Sequence, residues 1–174
     1  VGSGSVIRDR TKAAVRTRAD CFRPDMGAGH PECPDRLAAI EDQLIARGVG
    51  QLLERHEAPL ATDEQLARVH PAEYIQAIRD AAPESGRVHL DPDTAMNPHS
   101  LGASLRAAGA AVLATDLVLR GEVTSAFCSV RPPGHHACRA RPMGFCIFNL
   151  SLLHHSLPPT PYQTPYSLFF LYNT

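Results

Sequence analysis

The chain has 174 residues, a formal net charge of −1 and 20% charged residues, which is the composition of one globular domain. Acidic and basic residues are interspersed, so no basic face is predicted that would bind nucleic acid or an anionic membrane surface directly. With no secretory signal or membrane-spanning run, and with five cysteines that lack CxxC spacing, a cytoplasmic location is expected and a disulfide framework is not.

Residues 1–24 are predicted to form an N-terminal arm. They are rich in Gly and Ser at first and basic afterwards, without a period that would bury one face. Within the arm, a short helix is expected around Thr11 to Arg18. The next segment, Asp25 to Glu32, contains two glycines and a His-Pro step, and therefore predicts an irregular loop that can carry function or only a turn.

Helical patterns follow in the middle of the chain. Apolar residues at helical spacing predict a helix over 34–46, which Gly48 ends. A capping-box pattern formed by Thr62 and Gln65, followed by Pro71 as the opening of a second helix, predicts a helical hairpin. Residues 83–98 contain too many Pro, Gly and acidic residues for regular structure, so a long irregular loop of the kind that borders a site is expected.

A long helix and a buried strand are predicted next. Ser100 is the expected cap of an alanine-rich helix that Gly121 ends. Val123 to Val130 is short and apolar on both faces, which is typical of a buried parallel strand in an α/β sheet. The segment RPPGHHA at 131–137 therefore lies at the carboxyl end of a strand, where open α/β sheets bind ligands.

Two adjacent imidazoles in this segment form a candidate catalytic pair. Imidazole changes protonation state near neutral pH, so His135 and His136 could divide the tasks of accepting a proton from water and returning it to a leaving group. Most histidines in proteins are structural or solvated, so the dipeptide alone is weak evidence. The flanking Pro and Gly residues, and the segment MGFCIFN at 143–149, are what favour a site.

RPPGHHA followed by MGFCIFN resembles the zinc-dependent histone deacetylase family, in particular its class II and bacterial deacetylase-like branch. GAGHPECPDRL at 27–37, ATDEQLARVHPAEYI at 61–75 and LDPDTAMNP at 90–98 extend the resemblance to roughly 25–149. The resemblance implies an α/β fold: the N-terminal part of an arginase/deacetylase-like open parallel sheet flanked by helices, and incomplete. Residues 25–149 are accordingly predicted to be a partial deacetylase domain.

The family resemblance also implies a substrate and a chemistry. In that family a zinc ion activates water for hydrolysis of an acetyl-lysine side chain or an acetylpolyamine, and tandem histidines act as general base and acid. The implied site residues are His135 and His136 as the catalytic pair, with His136 favoured as the base; Gly144 and Phe145 at the substrate tunnel; Asp91 or Asp93 against the substrate backbone; and Arg36 in the acetate channel.

Each assignment has a structural alternative. Arg36 could form only a surface ion pair, and Asp91 and Asp93 could simply close a turn beside a proline. Phe145 could be plain core. Cys138, which follows the histidine pair, could suggest a different hydrolase with a Cys-His nucleophile.

The residues after Asn149 lack what the family requires. Zn²⁺ is the expected cofactor, but the Asp-x-His pair and the second Asp that follow the GFC segment in the family are not found, so no metal ligands are assigned. Residues 150–174 contain no Asp, Glu, Lys or Arg and are predicted to be a divergent, proline-rich tail. We expect an N-terminal fragment that is inactive alone; the alternative is a non-catalytic interaction fragment derived from a deacetylase.

Overall fold

The computed structural model describes residues 12–16, 19–27 and 29–155. Five strands are present among them: β1 (Lys12–Arg16), β2 (Leu53–Glu57), β3 (Val88–His89), β4 (Ala95–Met96) and β5 (Ser125–Ser129). The α-helices are α1 (Asp35–Ala46), α2 (Asp63–Leu66), α3 (Ala72–Asp80), α4 (Ser100–Leu119) and α5 (Leu150–His155). Short 3-10 helices lie at Ala19–Phe22 and Val49–Leu52.

The main sheet is parallel, with the strand order β2-β1-β5. Lys12 pairs with Leu53 on one side and Ser125 on the other, and Arg16 pairs with Glu57 and Ser129. The three strands therefore end together, and the loops that follow them leave from one edge of the sheet.

The predicted helix around residues 11–18 was wrong, because residues 12–16 form the central strand of this sheet. The short segment has no strong strand pattern of its own. Two ladders of hydrogen bonds satisfy its backbone from both sides, and this non-local pairing outweighs a weak local propensity.

The helices predicted between residues 34 and 80 were confirmed with small changes in their bounds. The capping box is present: the Thr62 hydroxyl accepts from the Gln65 amide at 3.2 Å, and the Gln65 side chain accepts from the Thr62 amide at 3.0 Å. Ser100 is not a helix cap. It is the first residue of α4, and its hydroxyl instead bonds to the backbone amide and side chain of Asn97.

The segment predicted to be an irregular loop, residues 83–98, contains a small antiparallel hairpin. Val88 pairs with Met96, and His89 pairs with Ala95. Ala95 and Met96 are buried, so the core holds one of the two short strands in place.

Helix α4 forms the centre of the core and packs against β5 and α5. Among the described residues, α4 is the one helix long and apolar enough to cross a membrane. However, 72% of its most apolar stretch is buried inside the fold, as in the core helix of a soluble protein. Gly109 lets the segment after β2 approach α4 closely, since a Cβ there would lie 2.1 Å from the carbonyl oxygen of Pro59.

The predicted bounds of the partial domain, residues 25 and 149, stay predictions. Helix α5 begins at Leu150, inside the predicted tail, and its Leu150 and Leu153 are buried in the core. The first residues of the predicted tail therefore pack as part of the fold. The remaining tail, 156–174, and residues 1–11 of the predicted arm lie outside the described residues.

Candidate functional site

Three segments meet beside the carboxyl ends of the parallel strands. They are the segment that leads from β1 to α1, the hairpin formed by β3 and β4, and the loop 131–149 after β5. The Asn97 side chain donates to the carbonyl of Arg23 at 2.8 Å and so joins the first two segments. The hairpin holds the third segment through the contacts described below.

The histidine pair lies in the first part of the loop 131–149. The ring centroids of His135 and His136 are 4.0 Å apart, with an angle of 47° between the ring planes. His135 is half-buried and His136 is exposed. Burial lowers the pKa of His135, and the charge of His136 lowers it further. Simultaneous protonation of the two rings is thus disfavoured, which suits a pair that passes a single proton.

The second motif folds back onto the first because Gly144 has no side chain. A Cβ at Gly144 would lie 2.7 Å from the Cβ and 2.8 Å from the ring carbon Cδ2 of His136. Both Gly144 (φ 58°) and Phe145 (φ 67°) have left-handed backbone conformations. For Phe145 such a conformation costs on the order of 1–3 kcal/mol, so contacts elsewhere must hold it.

The hairpin supplies those contacts. The Asp93 carboxylate accepts from the Gly144 amide at 3.2 Å, and the Thr94 hydroxyl accepts from the Phe145 amide at 3.1 Å. The Thr94 hydroxyl also donates to Asp93, and Thr94 is fully buried. A side-chain brace from the hairpin therefore fixes the Gly144–Phe145 turn.

Asp91 and Asp93, which the sequence left as alternatives, have different positions. One oxygen of Asp91 accepts from the amides of Asp93 at 2.9 Å and Thr94 at 2.6 Å, so Asp91 closes its own turn. Desolvation acts to raise the pKa of Asp91, but hydrogen bonds from these two residues outweigh it and lower the pKa. Asp93 is exposed and is the one that contacts the Gly144–Phe145 turn.

Sequence reasoning missed two residues that contact the site. The rings of His30 and Phe145 meet edge to face with their centroids 4.6 Å apart. Thr94 is the other, through its bond to the Phe145 amide. Both residues lie inside segments that carry the family resemblance, so the signal was present, but a single Thr or His in a loop does not by itself indicate a contact.

Arg36 lies behind the histidine loop and does not form only a surface ion pair. One of its guanidinium nitrogens donates to the carbonyl of Val130 at 2.7 Å and to Glu32 at 3.2 Å. The Glu32 side chain is buried, and Arg131 binds it from the opposite loop. Arg36 therefore sits at the base of the site, where the loop 131–149 begins.

Cys138 is exposed, and its sulfur lies 4.0 Å from the backbone carbonyl oxygen of His136, 3.7 Å from the sulfur of Met143 and 3.9 Å from a guanidinium nitrogen of Arg141, with no imidazole nitrogen among these contacts. These contacts give no support to a Cys-His nucleophile. Burial raises the pKa of the Cys146 thiol to about 11 and that of Cys128 to about 12, which disfavours the reactive thiolate at neutral pH.

The described residues do not fit a zinc ion. No group of three or more His, Cys, Asp or Glu side chains in 12–16, 19–27 and 29–155 could hold a metal. The carboxylates of the site are instead engaged in hydrogen bonds: Asp91 and Asp93 with the hairpin and the turn, and Glu32 with two arginines.

Comparisons with known proteins match most of the chain. A sequence model described as the histone deacetylase domain matches residues 30–154. A histone deacetylase-like amidohydrolase of Pseudomonas aeruginosa is 38% identical over 126 residues, which cover 72% of this chain and 33% of that protein. The human polyamine deacetylase HDAC10 is 37% identical over 129 residues, which cover 68% of this chain and 19% of that protein.

A solved structure gives the same result. The crystal structure of the HDA15 HD domain superposes with a TM-score of 0.76 at 31% identity, and covers 82% of this chain and 43% of that one. The predicted fold class, an arginase/deacetylase-like parallel sheet flanked by helices, is thereby confirmed. The chain spans a third or less of the length of the two curated relatives.

Proposed function

The chain belongs to the histone deacetylase family, and from this membership we propose that it carries the proton-transfer and substrate-contacting part of a deacetylase site. The proposed substrates are acetyl-lysine side chains or acetylated polyamines, in keeping with the names of its relatives. The observation that carries the proposal is the histidine pair, with rings 4.0 Å apart, packed against the Gly144–Phe145 turn.

In the proposed reaction the pair moves one proton. His136 is the more exposed ring and is proposed as the general base that accepts a proton from the attacking water. The pair then returns a proton to the amine nitrogen as the amide bond breaks. The lowered pKa of His135 supports this division, since the ring is neutral near pH 7 and able to share the proton of its neighbour.

The remaining site residues are proposed to hold the substrate. Phe145, edge to face with His30, would contact the apolar stem of the acetylated side chain. Asp93 is proposed for the contact with the substrate backbone, because it is exposed beside Gly144 whereas Asp91 is used within its own turn. Arg36, at the base of the loop, is proposed to attract the acetate product.

Zinc is the cofactor that family membership implies, but the described residues form no ligand cluster for it. No step of the proposal involves the metal, and we propose that the chain alone does not turn over acetylated substrates. A non-catalytic interaction fragment is the second candidate, favoured by the same observation. All five cysteines are thiols rather than disulfides, which favours a reducing cytoplasm, and this location is part of the proposal.

A hybrid enzyme separates the two candidates. Residues 30–154 of this chain would replace the matched segment of the Pseudomonas aeruginosa relative, and the hybrid would be assayed with an acetyl-lysine peptide and with acetylspermidine. We expect turnover that falls by about 10²–10⁴-fold in His136→Ala, the usual contribution of a general base. His89→Ala, an exposed histidine on β3, is the control and should leave turnover unchanged.

Two results would contradict the proposal. A folded hybrid without turnover would favour the interaction fragment, as would equal turnover in the His136→Ala variant. Turnover by the purified chain itself, with zinc added and with sensitivity to His136→Ala, would refute the claim that it is inactive alone.

A further inference from the structure

The two arms of the loop 131–149 converge on one buried side chain, His70. This residue lies between α2 and α3 and is 1% exposed. Its Nδ1 is 2.7 Å from the carbonyl oxygen of Arg139, and its Nε2 is 3.0 Å from the backbone nitrogen of Asn149. An amide N–H can only donate, so Nε2 must accept, and Nδ1 then carries the proton and donates to Arg139.

Neighbouring contacts tie the same two arms together. The Asn149 side chain donates to the carbonyl of Ala137 at 2.6 Å, and the Tyr74 hydroxyl donates to the carbonyl of Ile147 at 2.6 Å. The His70 ring packs against Tyr74 and Phe148, with centroids 5.0 Å and 5.6 Å away. Residues 137–139, directly after the histidine pair, are thus joined to residues 147–149, directly after the Gly144–Phe145 turn.

We propose that His70 is a positioning residue for the histidine pair. By joining the two arms of the loop, it sets how closely His136 approaches the Gly144–Phe145 turn. A catalytic role for the histidine pair rests on the proposed function. The hydrogen bonds themselves concern the geometry of the loop.

The imidazole of His70 is suited to this task in its neutral form alone. One nitrogen donates and the other accepts, so a second proton would set an N–H against the N–H of Asn149. Burial lowers the pKa of His70, which keeps the ring neutral near pH 7. A core histidine with only a space-filling role would not need both bonds.

Two substitutions separate positioning from space filling. His70→Phe keeps an aromatic ring of similar volume against Tyr74 and Phe148 but removes both hydrogen bonds. His70→Gln supplies an amide donor and a carbonyl acceptor on a side chain of similar reach. Tyr74→Phe is the control: it removes a hydrogen bond to the same loop but keeps the ring that packs against His70 and both hydrogen bonds of His70, so it should leave the histidine pair as in the wild type.

The measurement is NMR of the purified chain with ¹⁵N-labelled histidine, without substrate. In His70→Phe we expect the pKa of His135 to rise toward 6.5 as the loop loosens and its ring gains solvent, and the contact between His136 and Gly144 to be lost. His70→Gln should keep both signals near those of the wild type. An unchanged His135 pKa and an unchanged contact in folded His70→Phe would overturn the proposal.

If His70→Phe does not fold, the wild-type spectrum tests the proposal instead. The nitrogen shifts of His70 should show a proton on Nδ1 and an unprotonated, hydrogen-bonded Nε2, and a proton on Nε2 would overturn the inference. Because no readout uses substrate, an inactive hybrid with intact coupling between His70 and His135 would count against the proposed function only.

Discussion

The guanidinium of Arg131 is fully buried against the carboxylate of Glu32, which precedes it by 99 residues. Its Nη2 lies 2.6 Å from one carboxylate oxygen, and its Nε lies 2.7 Å from the other. Arg131 also donates to the carbonyls of Cys21 at 2.9 Å and Pro24 at 3.1 Å. One buried cation therefore connects the segment after β1 with the loop that carries the histidine pair.

Removing one partner of this pair should be costly. Glu32→Gln leaves the Arg131 cation buried without its carboxylate, and we expect a loss of about 3–5 kcal/mol in the free energy of unfolding. Urea unfolding followed by circular dichroism gives this value. The control is Glu122→Gln, whose exposed pair with Arg120 should contribute less than about 1 kcal/mol. Equal losses in the two variants would show that the buried pair does not stabilise the fold.

Stability should decrease as the pH falls below 6.5. Burial lowers the pKa of His70 in the folded chain, so the unfolded chain binds a proton more readily. The stabilisation is complete above pH 6.5, which is the ordinary pKa of a histidine in the unfolded chain. It is lost as the pH falls toward the lower pKa of His70 in the folded chain. Melting temperatures measured from pH 7.5 to 5 should show a smaller decrease in His70→Gln, and an identical slope would contradict this account.

The Thr94 hydroxyl should be needed to hold the Phe145 backbone. Thr94→Val keeps the side-chain shape but leaves the Phe145 amide without this acceptor, so we expect a loss of about 1–3 kcal/mol in the free energy of unfolding. Thr94→Ser keeps the hydroxyl and is the matched control. The ring contact between His30 and Phe145, measured by nuclear Overhauser effects, should weaken in the valine variant alone. If the contact persists in that variant, the Thr94 hydroxyl does not hold the Phe145 backbone.

Gly134 should tolerate no side chain. A Cβ would lie 2.1 Å from the Leu150 side chain and 2.6 Å from the carbonyl oxygen of Phe148, so Gly134→Ala forces the loop away from α5. We expect a loss of about 1–3 kcal/mol, typical of overpacking. Gly102→Ala, inside α4 with no atom beyond the neighbouring backbone of its own helix within 4 Å of the added carbon, should instead stabilise the chain by about 0.4–1 kcal/mol. Thermal unfolding of the two variants should therefore shift in opposite directions.

Much of the local structure could be predicted from the sequence because neighbouring residues determine it. The capping box of Thr62 and Gln65 and the apolar spacing in α1 are interactions within one or two turns of helix. Strand β1 could not be predicted in this way. Its backbone bonds are made with β2 and β5, which are far away in sequence, so its five residues carry little local signal.

The sequence by itself determined the family and the candidate residues of the site, since RPPGHHA and MGFCIFN stand in order at a specific spacing. Only the tertiary structure decided between Asp91 and Asp93 as the carboxylate beside Gly144. It also decided which buried side chains hold the loop, because His70 meets Asn149 across 79 residues and Glu32 meets Arg131 across 99. Contacts of that range arise from the closure of the fold and leave no periodic pattern in the chain.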